Sequence, residues 1–157
     1  MLDFISIASA LLIDRVSDPN FIKLKNKLET YSFQVRIEIP PNYRLPETRS
    51  DIPRRSFRKP YGVFDATSKS IWINPIVFEL GNSEATIVHE AIHAAQFCKG
   101  NGKLESLGLD IEPISQAQPF FKRYANIKLQ NLEKEAYTIQ SQTNSVSVAI
   151  SLLDRYC

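Results

Sequence analysis

Two histidines, His89 and His93, are the only ones in the chain, and they stand four residues apart in the sequence His-Glu-Ala-Ile-His. Residues at this spacing on an α-helix lie on one face, one turn above the other, so both imidazoles can reach a single metal ion. Neutral nitrogen ligands suit Zn²⁺. Glu90 lies about 100° further round the helix, where its carboxylate can act as a general base on a metal-activated water. The motif therefore predicts a hydrolytic zinc site.

A catalytic zinc site needs a third protein ligand, and the chain has no further histidine. Carboxylates and Cys98 are the remaining choices. The segment from 119 to 142 is the best source, because apolar residues recur along it at helical spacing. On that helix Glu133 and Glu135 flank the apolar stripe on opposite sides, each about 80° from its centre, so only one of them can face the metal.

The neighbours of these two glutamates favour Glu133. Tyr137 and Gln140 lie on the Glu133 side, one and two turns further along, where they can hydrogen-bond to the site. Glu135 is the alternative third ligand. Three other candidates stay open: Asp110, Glu112 and Cys98.

The histidine motif lies in a segment with helix signals at both ends. Glu84 is an acid in the first turn and Gly100-Asn-Gly102 ends the run, so the sequence predicts a helix over about 84 to 99. Asp18-Pro19 begins another amphipathic helix, and alternating polar and apolar residues predict strands. The other predicted elements are helices at about 2–13, 19–31, 119–142 and 146–153 and strands at about 33–39, 61–65 and 70–74.

Length and composition indicate one globular domain. The chain has 157 residues, of which 43% are hydrophobic and 5 are Gly, and a net charge of +2, which excludes a disordered or fibrous protein. The apolar run at 2–13 has an acid where a signal peptide has basic residues, and it is too short to span a bilayer. Cys98 and Cys157 lack C-x-x-C spacing and are too few for a disulfide-stabilised secreted domain. These features predict a reduced, cytoplasmic protein with free thiols.

Residues 40 to 60 differ in composition from the rest of the chain. They contain five of the 9 prolines and six basic residues against two acidic ones. Such a loop can bind nucleic acid or an acidic protein through charge. The alternative function is therefore a non-catalytic or regulatory zinc-containing module that binds such a partner. The basic residues are Arg44, Arg49, Arg54, Arg55, Arg58 and Lys59.

The residues of the motif, together with Leu132-Glu-Lys-Glu-Ala-Tyr137, resemble the gluzincin type of HExxH zinc metallopeptidase. In several of its families the metal-binding Glu begins a Glu-x-x-Ala pattern, which matches Glu133 to Ala136 here. In those families an acidic residue often follows the metal-binding Glu by four residues, and in this chain Tyr137 occupies that position. The stretch from Gly62 to Cys98 is also similar to the mitochondrial Atp23-like metallopeptidases, although their cysteine-rich downstream segment is missing.

The resemblance implies an α+β fold. In this compact zincin-like domain, a small, twisted, mixed or antiparallel sheet packs on the HExxH helix and on a second ligand-bearing helix. It implies a Zn²⁺ metallopeptidase whose peptide or protein substrate adds to the edge strand, here 70–74 or 61–65. Trp72 and Ile73 are then expected to bind the substrate, and Tyr137 is a candidate hydrogen-bond donor to the oxyanion. No membrane partner is expected.

Overall fold

The structure, a computed structural model, describes residues 18–41, 60–112, 114–122 and 124–157. Within these residues, six α-helices accompany a three-stranded sheet, which confirms the α+β class and the small mixed sheet. In chain order the elements are α1 (Pro19–Thr30), β1 (Gln34–Arg36), β2 (Gly62–Asp65), β3 (Ser70–Ile73), α2 (Ile76–Glu79), α3 (Ser83–Lys99), a 3₁₀ turn (Ser115–Ala117), α4 (Gln118–Lys122), α5 (Ile127–Gln140) and α6 (Ser145–Tyr156).

The strand β3 lies in the middle of the sheet. It pairs in parallel with β1 and antiparallel with β2, so the strand order is β1-β3-β2. The prediction that 70–74 forms the edge above the site is therefore wrong, whereas β2, from the alternative segment 61–65, does lie at an edge. The predicted strand at 33–39 shortens to the three residues of β1.

The central position of β3 decides what Trp72 and Ile73 can contact. Ile73 is 0% exposed in the hydrophobic core, together with Ile71, so its expected substrate-binding role is wrong. Successive side chains of a strand point to opposite faces of the sheet. Trp72 therefore lies on the other face, where the guanidinium of Arg36 sits 5.2 Å from its ring centroid. The structure does not bring Trp72 to the face of the sheet that packs on α3.

Helix α3 is buried along most of its length. Val88, Ala91, Ile92 and Ala95 are fully buried, and the helix packs against α1, α5, α6 and β2. Its bounds match the predicted helix at 84–99, and Gly100 follows its last residue. This packing fixes the helix on several sides and so fixes the direction of its histidines.

Helix α5 begins where Asn126 caps it. The Asn126 side chain accepts hydrogen bonds from the backbone N–H groups of Lys128 and Leu129, while its own backbone is extended. An extended residue at this point interrupts the helix predicted over 119–142. The first part becomes the separate short helix α4, and both candidate glutamates remain on α5.

A disulfide joins Cys98, near the end of α3, to Cys157, directly after α6. The packing of α3 against α6 brings the two Cα atoms to 5.1 Å, although the cysteines are 59 residues apart in sequence. The prediction of free thiols is therefore wrong. The cytoplasmic location was expected partly because two cysteines without C-x-x-C spacing indicated a reduced chain, whereas disulfides form and persist in oxidising compartments.

Two sequence predictions lie outside the described residues. These are the N-terminal helix at 2–13 and the basic part of the loop, from Arg44 to Lys59. Of the helices that the structure describes, none has both the length and the apolar character needed to cross a membrane.

Candidate metal centre

Two helices bring three potential metal ligands together. His89 and His93 project from α3, and Glu133 projects from α5, which packs against it. The Nε2 atoms of the two histidines are 3.1 Å apart. The Glu133 carboxylate oxygens lie 3.2 Å from His89 Nε2 and 3.3 Å from His93 Nε2. These three side chains could hold a metal ion.

The spacing of these donor atoms suits a tetrahedral ion of the size of zinc. Nitrogen and oxygen ligands at ~2.0–2.1 Å from such an ion are about 3.3 Å from one another at the tetrahedral angle. The two nitrogens are 3.1 Å apart, and two different oxygens of the Glu133 carboxylate lie 3.2 Å from His89 Nε2 and 3.3 Å from His93 Nε2. A set of two nitrogens and one carboxylate leaves a fourth position open, as catalytic zinc sites require. The residues therefore fit zinc in their chemistry, and their donor atoms lie close enough together to share one metal ion.

The second nitrogen of each histidine faces an amide oxygen. His89 Nδ1 lies 2.7 Å from Gln140 Oε1, and His93 Nδ1 lies 2.8 Å from Gln96 Oε1, so Gln140 is one of the residues that hydrogen-bond to the site. An amide oxygen can only accept, so each Nδ1 carries a proton and a neutral ring presents the lone pair of Nε2. Two lone pairs and a carboxylate then converge on one point. A cation, either a proton or a metal ion, is needed to stabilise that arrangement.

In the metal-free protein, a proton on His93 supplies the positive charge that faces the Glu133 carboxylate. Burial disfavours the charged form of His93, but the facing carboxylate of Glu133, aided by Glu90 and Gln96, outweighs burial and raises the pKa of His93 to about 9. Burial also acts to raise the pKa of Glu133. The positive charge of His93 and hydrogen bonds from both histidines nevertheless hold that pKa well below its usual range. At neutral pH, a protonated His93 therefore faces an ionised Glu133.

Zinc binding at neutral pH is expected to release about one proton, because His93 must lose its proton to bind metal while Glu133 is already ionised. The apparent affinity should rise about tenfold per pH unit towards the His93 pKa of about 9 and then level off. Calorimetric titrations in buffers of different ionisation enthalpy count the released protons. Release of none at neutral pH would contradict the protonated state of His93.

Glu90 lies beside the ligands and is only 5% exposed. Burial raises the pKa of its carboxyl, and the neighbouring histidines act in the opposite direction. The backbone of Phe64 in β2 donates a hydrogen bond to this carboxylate. A buried carboxyl with a raised pKa, held next to a metal site, is suited to taking up and returning a proton.

Strand β2 comes close to Glu90 because Gly62 has no side chain. A Cβ at Gly62 would lie 2.6 Å from Glu90 Oε1, closer than real contacts allow. The backbone N–H of Asn74 donates to the carbonyl of Tyr61, so these two residues form a hydrogen-bonded pair between β2 and β3. Hydrogen-bonded and non-hydrogen-bonded pairs alternate along an antiparallel ladder. Phe64, three residues after Tyr61, is therefore in a non-hydrogen-bonded pair, and its N–H points away from β3. The carboxylate of Glu90 accepts a hydrogen bond from this outward-facing N–H. A peptide adding to the edge of β2 would have to use other backbone groups.

Tyr137 lies against His89. Their ring centroids are 4.6 Å apart, and Phe120 of α4 stacks on Tyr137 at 5.4 Å. Phe120 is 49% exposed, so it extends the aromatic surface from the metal site to the solvent. The sequence placed Tyr137 near the site but did not single out Phe120, because that residue belongs to a separate helix.

Glu135 points away from the metal ligands and is 4% exposed. Its carboxylate accepts hydrogen bonds from the backbone N–H groups of Leu107 and Gly108, both at 2.8 Å, and from the Ser106 hydroxyl at 2.6 Å. It thereby anchors the segment that follows α3. The alternative assignment of Glu135 as third ligand is wrong, since its oxygens are directed at this segment.

The three remaining ligand candidates are also placed elsewhere. Cys98 is in the disulfide, and Asp110 and Glu112 are exposed, with Glu112 3.1 Å from the ammonium group of Lys134. Among the residues that the structure describes, the single group of three or more suitable side chains consists of His89, His93 and Glu133.

Three residues that shape the site were not predicted from the sequence. Gln96 follows His93 by three residues on the same helix, and this i, i+3 spacing is a signal that could have found it. Gly62 and Phe64 reach Glu90 only through the packing of β2 on α3. No local pattern points to them.

No family model matches the chain, and no curated protein or solved structure matches it either. The resemblance to gluzincins therefore rests on the motif residues alone. What the site can do is inferred from its own geometry and chemistry.

Proposed function

We propose that the protein is a zinc-dependent metallopeptidase of the zincin-like type. The observation that supports this most strongly is the convergence of His89 Nε2, His93 Nε2 and the Glu133 carboxylate, with the carboxyl of Glu90 buried next to them. Two nitrogens and one carboxylate with an open position are typical of catalytic zinc sites, whereas structural zinc sites use four protein ligands.

The proposed mechanism assigns the metal to His89, His93 and Glu133. When bound, zinc supplies a Lewis acid that polarises a carbonyl oxygen and makes water more acidic. Glu90 accepts the proton of the attacking water on its carboxylate and then donates it to the leaving amine of the cleaved peptide. The raised pKa of Glu90 makes its carboxylate a stronger base for the first transfer, and the carboxylate also accepts a hydrogen bond from the backbone of Phe64.

The aromatic surface next to the site supports a peptide or protein as the substrate. Tyr137 lies against His89 and is the candidate hydrogen-bond donor to the oxyanion that forms at the scissile carbonyl. Phe120 offers an exposed ring beside it, on which an apolar side chain of a bound peptide can pack.

Metal removal tests this function. Native mass spectrometry is expected to show one zinc ion per chain, and the zinc-loaded protein to cleave members of a peptide library. A chelator should abolish cleavage and added zinc should restore it, because His89, His93 and Glu133 can then bind the metal again. Equal cleavage by the metal-free protein, or the absence of any cleaved peptide with zinc bound, would contradict the proposal.

A further inference from the structure

Gln96 is a fully buried polar side chain on α3, one turn beyond His93. Its amide nitrogen donates to the carbonyl of Leu132 at 3.0 Å and to Glu135 Oε2 at 2.8 Å. Its oxygen faces His93 Nδ1 at 2.8 Å. Turning the amide by 180° would set its oxygen against a carbonyl and a carboxylate, so only the observed orientation satisfies all its partners.

This fixed orientation determines the state of His93. The oxygen of Gln96 can only accept, so Nδ1 of His93 must be the donor. A neutral His93 ring then has its lone pair on Nε2, the atom that faces Glu133 at 3.3 Å. Ligand histidines in metal sites commonly depend on such an outer hydrogen bond for their tautomer and ring direction.

Glu135 holds Gln96 in turn. Beside the amide of Gln96, its carboxylate binds the N–H groups of Leu107 and Gly108 and the hydroxyl of Ser106. A continuous chain of hydrogen bonds thus runs from the segment 106–109 through Glu135 and Gln96 to the ring of His93. The carboxylate is the acceptor that keeps the amide nitrogen of Gln96 turned away from His93.

We propose that Gln96 and Glu135 form a positioning relay that fixes the tautomer and direction of His93 and links metal affinity to the anchored segment 106–109. Neither residue belongs to the group of side chains that could hold the metal. The inference rests on the metal-binding part of the proposed function, but the tautomer itself is a property of the metal-free protein.

The tautomer can be measured without any variant. Protein labelled with ¹⁵N-histidine contains only two imidazoles, and a long-range ¹H–¹⁵N correlation spectrum distinguishes a protonated ring nitrogen from an unprotonated one. In metal-free protein, at a pH where the spectrum shows the His93 ring to be neutral, its proton is expected on Nδ1, which faces the Gln96 oxygen. A proton on Nε2, or an even mixture of the two tautomers, would overturn the relay.

The Gln96→Met variant tests the effect on the metal. Methionine has a similar volume but cannot make the three hydrogen bonds, so the zinc dissociation constant should rise about 10- to 100-fold, and the Nε2–H tautomer should become populated in the metal-free variant. Gln130→Met on α5 is the matched control, because the Gln130 amide bonds only to the carbonyl of Tyr124 in the described structure. Its zinc affinity and tautomer should equal those of the wild type.

The outcomes separate the relay from the proposed function. Zinc affinity within about twofold of wild type in a folded Gln96→Met variant, with an unchanged tautomer, would overturn the relay. A wild-type protein that binds no zinc would overturn the proposed function. In that case the tautomer of metal-free His93 still decides whether Gln96 fixes the ring.

Discussion

Replacing Glu90 by Gln is expected to lower the rate of peptide hydrolysis by about 10²- to 10⁴-fold, the usual contribution of a positioned general acid–base. The amide keeps the size of the side chain and can still accept the hydrogen bond from Phe64, but it cannot take up a proton. Zinc stoichiometry should stay at the wild-type value, because Glu90 lies beside the ligand group and not in it. Cleavage rates on the library peptides, measured with zinc content, check both parts.

Stability gives this variant a second readout. Burial raises the pKa of Glu90, so its ionised form is disfavoured in the folded protein, and a neutral amide removes that unfavourable contribution above the unfolded-state pKa. The thermal midpoint of Glu90→Gln at neutral pH should therefore equal or exceed that of the wild type. Glu84→Gln, on the first turn of the same helix, is the matched control and should keep full activity. Retained hydrolysis in Glu90→Gln would contradict the role of Glu90 as the base.

The variants Glu133→Ala and Glu135→Ala are expected to differ in the property that they lose most, which is zinc affinity for Glu133→Ala and folding stability for Glu135→Ala. Loss of Glu133 removes a ligand, so zinc affinity should fall by more than the ~100-fold that loss of an outer hydrogen bond can cause. Loss of Glu135 leaves buried donors of Gln96 and Leu107 without their acceptor, at about 1–3 kcal/mol each. Glu135→Ala should therefore be the less stable protein, and its zinc affinity should fall by no more than about 10- to 100-fold, the loss expected when the relay to His93 is broken.

Chemical unfolding of the metal-free proteins, together with zinc titration against a competing chelator, separates the two effects. Glu112→Ala is the control, because its carboxylate is exposed and makes only a surface ion pair with Lys134. If Glu135→Ala lost zinc more completely than Glu133→Ala, the assignment of the third ligand would be reversed.

These two glutamates also show what the sequence could and could not predict. The helical wheel places them at equal angles on opposite sides of one stripe, so local pattern alone did not choose between them. The neighbours Tyr137 and Gln140 favoured Glu133, and Gln140 does bond to His89. What excludes Glu135 is its set of partners at 106–109, which are more than 25 residues away in sequence.

Elements defined by strong local signals agree best with the structure. Helix α3 was predictable almost to the residue from its acidic first turn, its apolar spacing and the glycines after it. The order of the strands was not, since the parallel pairing of β1 with β3 depends on a crossover that no local pattern encodes. The burial of Ile73 is a similar case, because the sequence of a short apolar strand does not show whether that strand lies at the edge or in the centre of a sheet.

The disulfide between Cys98 and Cys157 affects how the zinc site must be studied. The cross-link closes a loop of 59 residues that contains Glu133, so its reduction is expected to remove about 4 kcal/mol of stability by the chain-entropy estimate. Reduction also frees two thiols, whose deprotonated forms are themselves strong zinc ligands. A reductant added to protect the protein would thus lower the stability of the fold and create a second set of ligands that competes for zinc. Metal stoichiometry is therefore meaningful only in the oxidised protein, after both sulfurs have been shown to be bonded.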